Sequence, residues 1–118
     1  MPNPPDWPPE FDALQAAPQH HTLLLENEFV RVLDTRIPPG QTVPPHTHQW
    51  PSTVYFISSS HFVRRDAQGN VVVDSRTIGS IPEETALWSA PLPLHTLENV
   101  GTTELRTIAV ELKIHSRS

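Results

Sequence analysis

The chain contains no cysteine, which excludes disulfide frameworks, thiolate metal sites and cysteine nucleophiles. Any transition metal must therefore rest on histidine and carboxylate. No apolar run approaches the roughly 20 residues needed to span a bilayer. The first ten residues are proline-rich and acidic, where a secretory leader is basic and then apolar. A cytoplasmic protein without membrane contact is the expectation. Positive charge is scarce as well: eight lysines and arginines stand against 13 acidic residues, a net charge of -5. Without a basic stripe to neutralise phosphates, nucleic acid is excluded as a partner. Glycine is limited to four residues. No phosphate-cradling loop, Ser-His-Asp spacing or glycosidase-like carboxylate pair stands out, and nothing repeats at a fixed period.

Proline and histidine are abundant instead, with 14 and seven copies in 118 residues. The length suits one domain. The prolines argue against long helices, because each interior proline removes a backbone donor and clashes with the preceding turn. Residues 1–20 read as a proline-rich arm. A short helix is expected from Glu10 to Ala17, with Asp6 or Asp12 at its amino end and Pro18 to stop it. Trp7 and Phe11 are expected to pack this arm against the domain or a second subunit.

Residues 21–115 read as an all-β domain, because short β-branched and aromatic runs alternate with turn residues. Strands are expected over Leu23 to Glu26, Phe29 to Ile37, Thr42 to His48, Thr53 to Ser58, His61 to Asp66, Val71 to Arg76, Ala86 to Ser89, Leu94 to Asn99 and Glu104 to Lys113. Pro38-Pro39-Gly40 and Asp66-Ala67-Gln68-Gly69-Asn70 supply turns.

His46-Thr47-His48 is the sharpest local pattern. On a strand, residues two apart share a face, with Cα atoms about 6 to 7 Å apart, so two imidazoles can reach one ion. His95 lies on a second alternating segment, sharing its face with Leu97 and Asn99 while Thr96 and Glu98 face the other way. In these residues the chain resembles the cupin superfamily, whose first motif is glycine, five residues, His-x-His, three or four residues, glutamate, six residues, glycine. Gly40, His46 and His48 match it. The second motif ends in histidine, three residues, asparagine, as His95 and Asn99 do. The resemblance covers about residues 28–113 and implies a single small jelly-roll (RmlC-like) barrel. It departs from the motif where the glutamate position falls on Ser52 or Thr53 and the later glycine on Ser59. The proline and glycine expected before the second histidine fall on Ala90 and Leu92.

His46, His48 and His95 are the expected metal ligands, with Asn99 and Ser52 behind them. Three neutral imidazoles leave the full charge of a divalent ion and open coordination positions. Among cupins such spheres are a feature of thiol and β-diketone dioxygenases, which favours Fe(II), although zinc, manganese, nickel and copper also suit imidazole. Gln49, Glu98 and Glu111 are the residues that could replace the missing glutamate, Glu98 least because of its parity.

Trp50, Tyr55 and Phe56 are candidate pocket residues, with Phe62 and Trp88 as further aromatics near the cavity. Catalytic residues are not legible. Arg36 and Arg106 could face inward toward a substrate carboxylate, but an outward surface ion pair is the expected outcome, and Arg64-Arg65-Asp66 reads as a solvated face. His20-His21 reads as a solvated loop, since adjacent extended residues point opposite ways. His61 reads as a strand-end surface residue and His115 as tail. The expected partner is a small, anionic organic molecule, and edge pairing or exchange of the arm makes a homodimer the expected assembly. Two functions follow: a metal-dependent dioxygenase, or a non-catalytic cupin that binds a metal or small molecule, including a sensory module.

Overall fold

A computed structural model describes residues 6–113. The expectations for Met1 to Pro5 and for His115 fall outside the described residues. Among the described residues nine strands form two antiparallel sheets. The larger sheet has the order β1 (His21–Glu26), β2 (Val30–Ile37), β9 (Leu105–Leu112), β4 (Ser52–Ser58), β7 (Thr85–Ser89). The smaller has the order β3 (Thr42–His48), β8 (Leu92–Asn99), β5 (Phe62–Asp66), β6 (Val71–Asp74). After the β1–β2 hairpin the chain crosses from sheet to sheet at every turn except β5 to β6. This winding produces a jelly roll. The sheets face one another as a sandwich with the core and a cavity between them.

Strand parity sets what lies inside. β2 and β9 pair without interruption from Val30↔Leu112 to Ile37↔Leu105. Leu33, Ile37, Leu105 and Ala109 turn inward and are buried. Arg36 and Arg106 take the opposite parity and meet Asp34 on the outer face, at 3.4 and 3.0 Å. Neither arginine reaches the interior, and both form the outward ion pair that was the expected outcome. Ile37, Val43, Phe56, Phe62 and Leu105 form one core cluster, closed by Ala17 from the amino-terminal segment.

That segment holds a 3-10 turn (Pro9–Phe11) and a single helical turn, α1 (Ala13–Ala16), in place of one helix from residue 10 to 17. Asp12 divides them because its side chain caps α1, accepting from the Leu14 N–H at 3.1 Å. Trp7 is half-buried and Phe11 exposed. The same capping chemistry corrects the strand expected to continue to Arg76. Asp74 accepts from the Arg76 N–H at 3.0 Å, so β6 stops there and Ser75–Ile78 forms a helical turn, α2.

Two glycines are needed where they stand. Gly40 has φ +81° at the turn after Pro38-Pro39. A Cβ on Gly101 would collide with Ser60 Oγ. Ser60 is held there by Asn99, which is fully buried and satisfied through its whole amide. Its oxygen accepts from the Ser60 hydroxyl at 2.8 Å and the Gly101 N–H at 3.0 Å, and its nitrogen donates to the carbonyls of Ile37 and Thr103, both at 2.8 Å. Asn99 thus ties the ends of β2 and β8 to two loops. It lies four residues along the strand from His95, about 13 Å away. Asn99→Leu should therefore lower unfolding stability by about 3 kcal/mol in urea denaturation, because several buried partners lose their bonds together. Metal content of the folded fraction should stay at the wild-type level.

Candidate metal centre

β3 and β8 pair so that His46 stands directly opposite His95. Their rings are 4.3 Å apart, centroid to centroid. His48, two residues on, lies 5.0 Å from His46 and 5.8 Å from His95. The three rings read from the motif are therefore neighbours, although His95 is not part of the group whose potential ligand atoms lie within 4.8 Å of one another. A fourth joins them: His21 lies 5.0 Å from His46 and 5.5 Å from His48. Potential ligand atoms of His21, His46 and His48 all lie within 4.8 Å of one another.

His21 escaped the sequence reading because the first strand was expected to begin at Leu23. It begins at His21, which pairs with Thr35 of β2 and turns inward. The loop expectation for His20-His21 is thus corrected: both residues are buried. His20 faces elsewhere, its Nε2 3.0 Å from Gln41 Oε1. The parity argument against a chelating pair therefore stands, while one member still reaches the cluster.

The orientation of the rings is fixed from behind. Nδ1 of His46 lies 2.7 Å from the Pro44 carbonyl, Nδ1 of His95 2.7 Å from the Pro93 carbonyl, and Nδ1 of His21 3.0 Å from the Ala17 carbonyl. Nδ1 of His48 lies 2.9 Å from Glu111 Oε2. All four partners only accept, so each neutral ring carries its proton on Nδ1 and keeps the Nε2 lone pair free. This is how proteins present imidazole to a metal, with the far nitrogen anchored and the near one bare. The residues fit a divalent transition ion on that ground.

Burial pulls His46 down to about 2, with His95 and His48 adding to it. Burial likewise pulls His21 and His95 to about 4 against the opposing bonds from the Ala17 and Pro93 carbonyls. These three rings are neutral at neutral pH and ready to ligate.

Glu111 occupies neither a ligand position nor solvent. Its side chain is 1% exposed and is gripped on both sides, by His48 and by Arg31 Nε at 2.6 Å. Burial would raise its pKa, but His48 and Arg31 overcome this and hold the carboxyl below its usual range. Arg31 continues the chain of contacts to Asp12, donating to both carboxylate oxygens at 3.0 and 2.8 Å. Trp50 braces the guanidinium 5.1 Å from its ring. Glu98 lies on the far face of β8 and pairs with Arg65 at 2.9 Å. Gln49 is half-buried.

The cluster forms one wall of a cavity of about 420 Å³ between the sheets, within the range of small-molecule sites. Phe56, Phe62 and Trp88 line it, as does Ser52, which pairs with Glu111 across the β4–β9 ladder. Trp50 and Tyr55 do not. Trp50 is occupied with Arg31, and Tyr55 has outward parity on β4 and is exposed. Arg64 lines the cavity too, contrary to its reading as part of a solvated face. His61 lies away from the cluster, its Nδ1 3.0 Å from Ser75 Oγ.

No protein-family model matches the chain, and no curated protein matches its sequence. Its shape is similar to that of many solved structures. A cupin domain from Bordetella pertussis Tohama I superposes with a TM-score of 0.67 at 21% identity, over 80% of this chain and 92% of that one. The polyketide cyclase RemF from Streptomyces resistomycificus gives 0.58 at 15%, over 90% and 75%. A predicted oxalate decarboxylase from Thermotoga maritima gives 0.51 at 24%, over 80% and 79%. No helix among the described residues is long and apolar enough to cross a membrane. With its sheet-to-sheet winding, its interior cavity and these neighbours, the chain has the cupin fold, the RmlC-like double-stranded β-helix.

Proposed function

We propose that this chain is a metal-dependent cupin enzyme acting on a small anionic organic substrate, with an Fe(II) dioxygenase as the reaction type. The observation that carries the reading is the cluster of His21, His46 and His48, with potential ligand atoms within 4.8 Å of one another and His95 beside them, each ring backed by an acceptor at Nδ1, at the wall of a largely apolar cavity. Bound there, a divalent ion supplies Lewis-acid or redox chemistry. The protein holds the ion with His46, His48 and His95 and adds His21. Four imidazoles saturate a tetrahedral ion but leave two positions on a six-coordinate one. A six-coordinate ion such as iron, manganese or nickel therefore suits catalysis, whereas zinc would sit as a closed structural centre. The donors are neutral, so the cavity favours an anionic ligand.

A non-catalytic binding or sensory cupin is the second reading. It is favoured by the cavity lining, which includes no aspartate or glutamate among the described residues, so acid–base work would fall to histidine alone. Oxygen uptake with diketones, thiols or hydroxy acids on iron-loaded protein separates the two, and uptake with none of them favours the binding module.

The same proposal takes residues 21–115 as the domain and 1–20 as its arm. It places the protein in the cytoplasm, where a chain without cysteine loses nothing. It also makes the protein a homodimer. Leu23, Leu24 and Leu25 on edge strand β1, and Phe29 beyond it, are exposed apolar side chains of the kind that pair with a second copy. Sedimentation should give a dimer, and Leu24→Lys with Leu25→Lys a monomer; a wild-type monomer at micromolar concentration sinks this part.

Elemental analysis of protein purified without chelator or nickel resin should find about one divalent ion per chain, lost in His46→Ala and His95→Ala. Glu111→Gln should keep the ligands but weaken metal affinity about 10- to 100-fold in chelator competition. Unchanged affinity would remove Glu111 from the site.

Metal-free protein should lose stability as pH falls. His21, His46 and His95 titrate below their unfolded value of 6.5, so the unfolded chain binds more protons between about pH 6.5 and 4, and stability declines through that window. Denaturation midpoints flat across it would contradict the buried neutral rings.

A further inference from the structure

The cavity holds one cation that no described residue neutralises. Arg64 sits in the middle of β5, opposite Leu97 of β8 and Val73 of β6. All three line the cavity. Among the described residues every other arginine has a carboxylate: Arg31 has Asp12 and Glu111, Arg36 and Arg106 share Asp34, Arg65 has Glu98, and Arg76 has Asp74. Arg64 makes no ion pair or side-chain hydrogen bond with any described residue. The nearest acid in sequence, Asp66, is committed to its own hairpin, accepting from the Gln68 and Asn70 N–H groups at 2.9 Å.

Burial is the one influence on the guanidinium, and it pulls the pKa below the usual arginine value. In Arg31, Arg76 and Arg106 carboxylates raise it. A half-buried charge without a partner costs the folded state free energy. That cost is offset only when something anionic enters.

The position of Arg64 says what could enter. Asp66 of β5 pairs with His95 and Arg64 with Leu97, so Arg64 is the diagonal neighbour of His95, with Cα atoms about 7 to 8 Å apart. The guanidinium therefore shares the cavity with the imidazoles. Apolar side chains complete the lining: Ile78, Leu87 and Trp88 line the cavity and are exposed. A planar guanidinium matches a carboxylate in a two-bond fork. One cation in an apolar chamber matches a single negative charge better than a phosphate dianion.

We propose that Arg64 is the recognition residue of a binding site for a small monocarboxylate with an apolar body, the carboxylate on Arg64 and the body toward Leu87 and Trp88. The proposal rests on the preceding reading only in using the same cavity.

The test is calorimetric binding of hexanoate, benzoate and phenylacetate, each against its neutral amide, with phenyl phosphate as a further arm. The proteins are wild type, Arg64→Leu, Arg64→Lys and His46→Gln, with metal content measured for each. Wild type and His46→Gln should prefer the best acid over its amide by about tenfold or more. Arg64→Leu should lose that preference with unchanged metal content, and Arg64→Lys should keep part of it. Arg64→Leu should also unfold at the wild-type temperature or above in the absence of ligand, because an unpaired cation has been removed. A purely structural arginine would lower it.

Equal binding of acids and amides in wild type, or a preference that survives Arg64→Leu, overturns the proposal. So does tighter binding of phenyl phosphate than of every acid. A preference lost in His46→Gln and kept in Arg64→Leu assigns the anion to the metal instead. Wild type without metal but with an Arg64-dependent preference leaves this site standing and sinks the metal reading.

Discussion

A carboxylate buried to 1% exposure has to be held by charges or it will not stay ionised, and Glu111 is such a group. One oxygen is committed to Arg31 and the other to His48. Arg31 spends its remaining donors on Asp12. Removing Arg31 would leave the buried Glu111 with His48 alone, and breaking a buried pair in this way costs about 3 to 5 kcal/mol. The contacts therefore fix more than their own geometry. Asp12 is also the cap of α1, and Ala17, at the end of that turn, supplies the carbonyl that orients His21. The amino-terminal segment docks against β3, where Asp12 bridges to Thr47 between the two motif histidines. One ionic chain thus sets both the ring of His48 and the arrival of His21.

The electrostatics of the interior follow from that arrangement. Asp12, Arg31 and Glu111 sum to one negative charge placed behind the imidazoles, of which His21, His46 and His95 are neutral. A divalent ion in front of them would face an apolar chamber with Arg64 as a second positive group. In a medium of low effective dielectric both charges act strongly on whatever enters. The chamber is therefore biased toward anions from two directions, while its walls accept only a molecule with apolar surface.

Much of the architecture was legible because jelly-roll strands carry period-2 patterns and the turns carry proline and glycine. Each of the nine strands lies where a run was expected. The misses have physical causes. The expected β6 ran past Asp74 because a strand pattern does not announce a side chain that will cap the next turn. Arg64 looked like part of a charged surface string, since parity alone does not tell which face of a short strand is inside. Trp50 was expected at the pocket rim, but a nearby guanidinium captured it. His21 was hidden by a β1 start placed two residues late, and its ring is held by the Ala17 carbonyl four residues earlier, a contact that no strand pattern announces. A local signal did exist at two other histidines of the cluster: His46 and His95 each follow a proline by two residues, and that proline's carbonyl receives the ring.

The missing motif glutamate takes on a different meaning once the strands are paired. Its expected place is Ser52, and the residue directly across the β4–β9 ladder from Ser52 is Glu111. A carboxylate is thus retained beside the expected place, but one strand over and turned to the back of His48. From there it cannot donate to the ion, since both oxygens are taken. It acts through the imidazole, fixing its tautomer and strengthening its basicity. The small Ser52 side chain leaves room on the cavity side, and His21 enters the cluster from the other edge of the same sheet. A metal bound at this cluster would have a neutral donor in place of an anionic one, with a negative charge still close by. An ion held in this way keeps more of its own charge toward the cavity than one bound directly by glutamate, and that is the condition under which an anionic ligand competes best for its open positions.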